Sequence, residues 1–328
     1  MISDLSIAEA LSPRALSLIL LPTEKCNFRC TYCYEDFSIG RMQASVISGI
    51  KALLNNRIKE IDRLSISWFG GEPLLAKSVV LDIGSFAHNL CNNYGVNFQA
   101  GFTTNGYLLD FDLFKSLLRI SHVDYQITLD GDEEWHNKTR VLANRKPTFD
   151  VIWSNLVSYK RARENFSITL RLHVHRDNVE SLRRLKKRLE KEILDDPRFR
   201  IYFHKVSNLS SDFVINETVL KRDEYLSAIN YISDGQQIQK APVGAISEEH
   251  LDGYICYAAK PNSLMIRANG TIGKCTVALN DGQNSIGRIK SDGTLDIENE
   301  KLRVWMNGFA TLSEKTLSCP LSELAKAG

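Results

Sequence analysis

Six short runs of β-forming residues, each separated from the next by a helical run, constrain this chain more than any other feature. Leu16 to Leu21, Leu64 to Phe69, Val96 to Thr103, Val123 to Leu129, Ser167 to Val174 and Arg200 to Val206 predict strands. Helical periodicity falls between them, near residues 43–56, 74–92, 110–119, 149–163 and 178–191. Strands that alternate with helices imply an α/β fold with a parallel sheet and right-handed crossovers, either doubly wound or curled into a barrel.

The faces of the strands separate those two forms. In "SITLRLHV" Ile168, Leu170, Leu172 and Val174 share one face, while Thr169, Arg171, His173 and, beyond them, His175 share the other. "VDYQITLD" sets Asp124, Gln126, Thr128 and Asp130 opposite Val123, Tyr125, Ile127 and Leu129 in the same way. A parallel strand covered by helices on both sides should be apolar on both faces. One polar face suits a partial (β/α)6 TIM-like barrel with a wet interior; a solvent-exposed edge strand is the competing reading. After about residue 236 the pattern breaks, and "PNSLMIRANGTIGKC" reads as a β-hairpin turning at Asn269-Gly270. The expected division is therefore 1–235 for the barrel and 236–328 for a small C-terminal domain.

Charge narrows the partners. Lys plus Arg number 41 against 39 Asp plus Glu, so the whole-chain field is weak and points to neither nucleic acid nor a membrane. The basic run "RRLKKRLEKE" places Leu185 and Leu189 on one helical face and reads as a solvated helix exterior. Asp4 and Glu9 stand where a secretory signal would be basic, and the apolar run from Ala15 to Pro22 is too short to span a bilayer. The chain reads as cytoplasmic, where its seven cysteines, an odd number, would be free thiols or metal ligands.

Three of those cysteines, Cys26, Cys30 and Cys33, lie within eight positions in "KCNFRCTYCYE". A structural zinc site normally takes four ligands, and three thiolates on a loop leave it one short. A [4Fe-4S] cubane held by three thiolates keeps its fourth iron open for a small molecule.

"CNFRCTYC" resembles the cluster loop of the radical S-adenosylmethionine (radical SAM) enzymes. The resemblance implies that Cys26, Cys30 and Cys33 hold a [4Fe-4S] cluster whose open iron is chelated by the methionine moiety of SAM. It also implies that one-electron cleavage of SAM gives a 5′-deoxyadenosyl radical that abstracts hydrogen from the substrate. Tyr32 fits the aromatic residue that lies against the adenine. "SWFGGEP" is similar to the family's GGE motif, which assigns Gly70, Gly71 and Glu72 to the methionine amino group; adjacent glycines permit close backbone approach. "FTTNG" with Asn105, and "TLDG" with Thr128 and Asp130, resemble segments bordering the ribose and the substrate opening. They end predicted strands, where α/β sheets bind ligands. Asp130 is by position a candidate catalytic base. "DGDEEWHNKTR" resembles the family's DG-H-R pattern through His136 and Arg140; Arg171 could fork onto the methionine carboxylate or equally form a structural ion pair inside the barrel.

Cys256, thirteen residues, Gly270, four residues and Cys275 resemble the opening of the SPASM or twitch extensions that carry auxiliary iron–sulfur clusters. "SCPLSELAKAG" offers only Cys319, with Ser322 where a CxxC partner would sit, so the resemblance implies one auxiliary cluster on Cys256, Cys275 and Cys319. Cys91 reads as a packing residue.

Enzymes with such extensions most often modify peptides. The expected activity is oxidative crosslinking, carbon–carbon or thioether, of a ribosomally made precursor peptide. Epimerisation is disfavoured because every cysteine but Cys91 is assigned to a cluster, leaving no thiol to return hydrogen. The short segment before the first strand leaves no room for a leader-binding winged helix, so a separate leader-binding protein or the barrel mouth would grip the peptide. An electron donor such as flavodoxin or ferredoxin is expected. The alternatives are a small-molecule (alcohol or sugar) radical dehydrogenase, a sulfatase-type formylglycine maturase, and a non-enzymatic iron–sulfur sensor or scaffold.

Overall fold

The computed structural model describes residues 2–206, 219–235 and 253–324. In chain order its strands are β1 (Ala15–Leu20), β2 (Phe28–Cys30), β3 (Arg63–Trp68), β4 (Asn97–Thr104), β5 (His122–Leu129), β6 (Arg140–Leu142), β7 (Phe166–Val174), β8 (Phe199–Lys205), β9 (Ser263–Ile266), β10 (Thr271–Gly273), β11 (Gly287–Ile289) and β12 (Leu295–Ile297). Each of the six strands expected from the sequence forms, displaced by no more than one residue at either end. The expected helices form as well. The one expected over 149–163 stops at Tyr159, where the Arg198 guanidinium takes the carbonyls of Lys160 (3.1 Å) and Ala162 (2.6 Å) and diverts them from helical pairing.

Two compact units are interleaved along the chain. One gathers Met1–Lys25, Phe37–Gly101 and Glu248–Gly328; the other gathers Cys26–Asp36 and Phe102–Ser247. The boundary expected near residue 236 falls in 236–252, outside the described residues.

In the first unit β1 lies between two parallel neighbours. It pairs with β3 from Ala15↔Arg63 to Leu20↔Trp68, and with β9 from Ser17↔Ser263 to Leu20↔Ile266. The strand order continues to β4 on one side, and through antiparallel β10, β11 and β12 on the other. Burial explains the centre of this sheet: Leu16, Leu18 and Leu20 are at most 2% exposed, each worth about 1.5–3 kcal/mol when fully buried. The hairpin expected at Asn269-Gly270 forms, but its turn runs from Arg267 to Gly270, whose N–H donates to the Arg267 carbonyl at 2.9 Å. Only Gly270 has positive φ, +85°, so this is the three-residue hairpin form closed by a left-handed glycine, not a two-residue turn.

In the second unit the order is β4, β5, β7, β8, with β5–β7 and β7–β8 parallel. Sequential strand neighbours with helices between them are the architecture of a partial (β/α)6 barrel, the fold class expected. Ile168, Leu170, Leu172 and Val174 of β7 are fully buried on one face. The polar face changes along its length: Asp124 is exposed, while Thr128, Asp130, His173 and His175, at the strand C-terminal ends, are buried. The helix Val179–Glu192 buries Leu182, Leu185 and Leu189 at helical spacing and keeps most of its charges outward. A short antiparallel ribbon, β2 with β6, pairs Phe28↔Leu142, Arg29↔Val141 and Cys30↔Arg140; nothing in the strand pattern announced it.

Candidate active site

The cysteine loop belongs to the second unit and is built around the β2–β6 ribbon. Cys30 closes β2, and the Cys33 N–H donates to the Cys30 carbonyl at 3.2 Å, turning the chain between them. Cys26, Cys30 and Cys33 are all partly buried. The Phe28 N–H donates to the Cys26 sulfur at 3.3 Å, a contact that favours anionic sulfur. Burial pushes Cys33 up to about 11 and raises Cys30, while the Arg140 guanidinium pulls Cys30 back down. These thiols are therefore mostly protonated at neutral pH until a cation takes them.

Tyr32 sits between the last two cysteines, and its hydroxyl is held from both sides. It donates to Asp130 Oδ1 at 2.9 Å and accepts from Arg140 Nη1 at 2.7 Å. Its ring stands edge-on to His173, with centroids 5.1 Å apart. Asp130 Oδ2 accepts from the Thr139 hydroxyl at 2.7 Å. Burial by itself would raise the Asp130 pKa, but His173 and Arg140 hold it well below the usual carboxylate range. Burial, then the Arg171 charge, pushes His173 down to about 4. Its Nδ1 lies 3.4 Å from Asp130 Oδ1, yet at neutral pH the imidazole is uncharged, so this is a close polar contact and not an ion pair.

Asn105 follows the last residue of β4, and Thr128 is the penultimate residue of β5. Asn105 Nδ2 donates to Asn27 Oδ1 at 2.8 Å and lies 4.0 Å from the Cys26 sulfur, so it touches the cysteine loop directly. Its Oδ1 accepts the Tyr107 N–H at 3.0 Å. Thr128 Oγ1 accepts from Arg171 Nε at 3.2 Å, and burial lowers the Arg171 pKa. Among the described residues Arg171 forms no ion pair with a carboxylate.

Gly70, Gly71 and Glu72 belong to the first unit. A Cβ on Gly70, where φ is +100°, would lie 2.3 Å from the Thr23 carbonyl oxygen; one on Gly71 would lie 2.6 Å from that of Lys25. The space these glycines leave is filled by Thr23–Lys25, the segment leading directly into Cys26. Glu72 is fully buried; its N–H donates to the Lys25 carbonyl at 3.0 Å and its Oε1 accepts the Leu74 N–H at 3.0 Å, capping the turn Pro73–Ala76. The same segment carries a pair the sequence did not reveal: buried Glu24 accepts from Arg267 Nε at 3.1 Å and Nη2 at 2.5 Å.

Cys256, Cys275 and Cys319 also belong to the first unit. Cys256 and Cys275 are buried, Cys319 partly so; burial, then Cys275 and Cys319, raises Cys256 to about 11, and burial together with Cys319 raises Cys275. The Cys256 N–H donates to the Leu317 carbonyl at 2.8 Å, tying it to the helix before Cys319. Asn284 Oδ1 accepts the Cys275 N–H at 2.9 Å and Nδ2 donates to the Cys275 carbonyl at 2.8 Å. Ser322 donates to the Cys319 carbonyl at 2.7 Å. Lys274, with no solvent exposure, donates to the carbonyls of Lys260 and Ser263, each at 2.6 Å, and burial pushes it down to about 7 against the pull of Cys256. Cys91, as expected, is fully buried packing in the helix Lys77–Tyr94. Among the described residues no three His, Cys, Asp or Glu side chains gather closely enough to hold a single metal ion.

A partial α/β barrel with three closely spaced cysteines on a loop beyond its first strand defines a recognisable class. The radical SAM superfamily profile matches residues 20–189, just over half of the chain, and the chain belongs to that superfamily. Membership implies a [4Fe-4S] cluster and SAM. The cysteine-type anaerobic sulfatase-maturating enzyme of Clostridium novyi is 28% identical over 167 residues, covering 47% of this chain and 43% of that protein. The chain spans less than half the length of the curated relatives it matches most strongly. Among solved structures, native anSMEcpe with bound AdoMet and Cp18Cys peptide matches with a TM-score of 0.63 and 18% identity, over 89% of this chain and 80% of that one. Streptococcus suis SuiB bound to precursor peptide SuiA matches with a TM-score of 0.56 and 16% identity, over 96% and 73%. Among the described residues no helix is long and apolar enough to cross a membrane.

Proposed function

We propose that this chain is a radical SAM peptide maturase that forms an oxidative crosslink, carbon–carbon or thioether, in a ribosomally made precursor peptide. The observation that carries the reading is the extent of the fold likeness: nearly the whole chain matches two enzymes, each solved with a peptide bound. Cys26, Cys30 and Cys33 hold the [4Fe-4S] cluster in this reading. They fit it because Arg140 offers Cys30 a buried cation and the Phe28 N–H offers Cys26 a donor. Cys256, Cys275 and Cys319 hold one auxiliary cluster, beside which buried Lys274 would gain charge from the Cys256 thiolate, which pulls its pKa up against burial.

When bound, the first cluster supplies one electron to SAM, whose 5′-deoxyadenosyl fragment takes a hydrogen atom from the peptide. The chain's own residues orient the reactants. In this reading Tyr32 would face the adenine, Asn105 and Thr128 would border the ribose, and Arg171 would receive the methionine carboxylate. Crosslinking removes two hydrogen atoms from the peptide, that is two electrons and two protons. The deoxyadenosyl fragment takes one hydrogen atom; the other would leave as a proton to solvent and an electron to a flavodoxin- or ferredoxin-like carrier, with an auxiliary cluster on Cys256, Cys275 and Cys319 as the relay when bound.

Anaerobically reconstituted protein with SAM, a reductant and a ribosomally made precursor peptide should release 5′-deoxyadenosine and a peptide lighter by two hydrogens. Release without peptide change, but with oxidation of an alcohol or sugar, would favour the dehydrogenase instead. No release at all would leave the sensor or scaffold. A second maturase reading, formylglycine formation, is favoured by the likeness to the Clostridium novyi enzyme; it would give an aldehyde on a sulfatase-derived cysteine peptide.

A further inference from the structure

We propose that Arg140 and Asp130 are positioning residues that clamp the Tyr32 hydroxyl and thereby fix the Cys30–Cys33 turn. The inference rests on superfamily membership and on the second unit's geometry, not on the crosslinking reading.

The ribbon that carries Cys30 is too short to hold itself. β2 and β6 have three residues each, and an isolated two-stranded ribbon is marginal in water even when longer. Beyond Cys30 the ladder adds one bond, from the Thr31 N–H to the Thr139 carbonyl at 3.0 Å. Side chains must fix the rest, and Tyr32 is where they act.

Its hydroxyl has one proton to give and oxygen lone pairs to receive. The proton goes to Asp130 and a lone pair takes the Arg140 N–H, at 2.9 and 2.7 Å, so both contacts are charge-assisted. Both ends of the clamp are themselves anchored. The Arg140 backbone pairs with Cys30, and its carbonyl accepts from the Thr148 hydroxyl at 2.5 Å. The Asp130 carbonyl accepts from Asn178 Nδ2 at 2.7 Å, and its second carboxylate oxygen is taken by Thr139. Asp130 is 1% exposed and Arg140 7%, so water does not compete for these bonds. Asp130 would have to break one of them to reach a substrate proton, which argues for a positioning role over that of a base. The DG-H-R segment thereby acquires a physical purpose: it returns the chain beside the cysteine loop and delivers the cation that holds it.

Hydrogen–deuterium exchange on the full chain, metal-free and reconstituted, tests the clamp. Tyr32→Phe keeps the ring and removes the hydroxyl. Peptides covering residues 26–36 should exchange more than about tenfold faster, the change that loss of even one hydrogen bond to a charged group gives, while β7 is unaffected. Arg140→Gln should do the same, and the double variant should add little. In reconstituted protein Asp130→Ala should weaken SAM binding about tenfold, as loss of an outer-shell partner does. Asp130→Asn, which still accepts from Tyr32, should restore both SAM binding and deoxyadenosine formation. Wild-type exchange in Tyr32→Phe would overturn the clamp. So would an Asp130→Asn protein that binds SAM normally, keeps its loop protected and makes no product, because that is the signature of a base. Failure of the peptide reaction in wild-type protein leaves the exchange result untouched.

Discussion

The two sets of cysteines reach their sites by opposite routes. Cys26, Cys30 and Cys33 are neighbours in sequence, lie partly open on a loop, and are braced by Asp130 just after β5 and by side chains from β6 and β7. Cys256, Cys275 and Cys319 are scattered over more than sixty residues and are gathered by backbone, with an asparagine bracketing Cys275 and the Leu317 carbonyl holding Cys256. A sequence-local site depends on local clamps and tolerates little loss within them. A sequence-distant site depends on the fold around it, and fails when that fold loosens.

The largest effect should separate the two sites outright. Cys30→Ala should lower 5′-deoxyadenosine release by more than about 100-fold, beyond the range seen for outer-shell partners. Cys275→Ala should leave cleavage of SAM without peptide largely intact while iron falls from about eight to about four per chain. Equal loss of release in both would erase the distinction. Next comes Arg267→Leu, which strands Glu24 as a buried charge beneath the C-terminal hairpin. Breaking a buried pair in this way costs about 3–5 kcal/mol, readable by urea denaturation.

Gly71→Ala should cost about 1–3 kcal/mol, because the added carbon meets the Lys25 and Glu24 carbonyl oxygens at 2.6 and 2.8 Å and backbone must move. The smallest effect is a pH dependence confined to the second unit. Burial, then the Arg140 charge, pushes His136 down to about 3 against the pull of Asp130, while its unfolded value is near 6.5. As pH falls the unfolded chain takes the proton first, so the stability is complete above about 6.5 and declines toward acid. Between pH 7 and 5 His136 should account for at most about 2 kcal/mol, and His136→Gln should flatten that part of the curve.

The strands were legible because each carries an apolar face at period two, and Leu16, Leu18 and Leu20 need no partner to declare it. The cysteine loop was legible because its ligands are adjacent in sequence. The partnership between Tyr32 and Arg140 was not, although both residues had been singled out, because a ribbon of three residues per strand leaves no periodic signal. One cue was present: Asp132 followed by two glutamates is a helix start, and the helix Glu133–Thr139 does begin there. Lys274 stayed hidden because a lysine beside a cysteine reads as surface until its neighbours are known. The Glu24–Arg267 pair was beyond reach for a plainer reason, a separation of 243 residues.

That separation also sets an order of events during synthesis. β1 leaves the ribosome well before β9, whose Ser263 pairs with Ser17 along one of its edges. At typical translation speeds the interval is on the order of tens of seconds. Until β9 arrives, that edge of β1 is unpaired and its apolar side chains are uncovered, the kind of transient surface that makes a folding chain prone to aggregate.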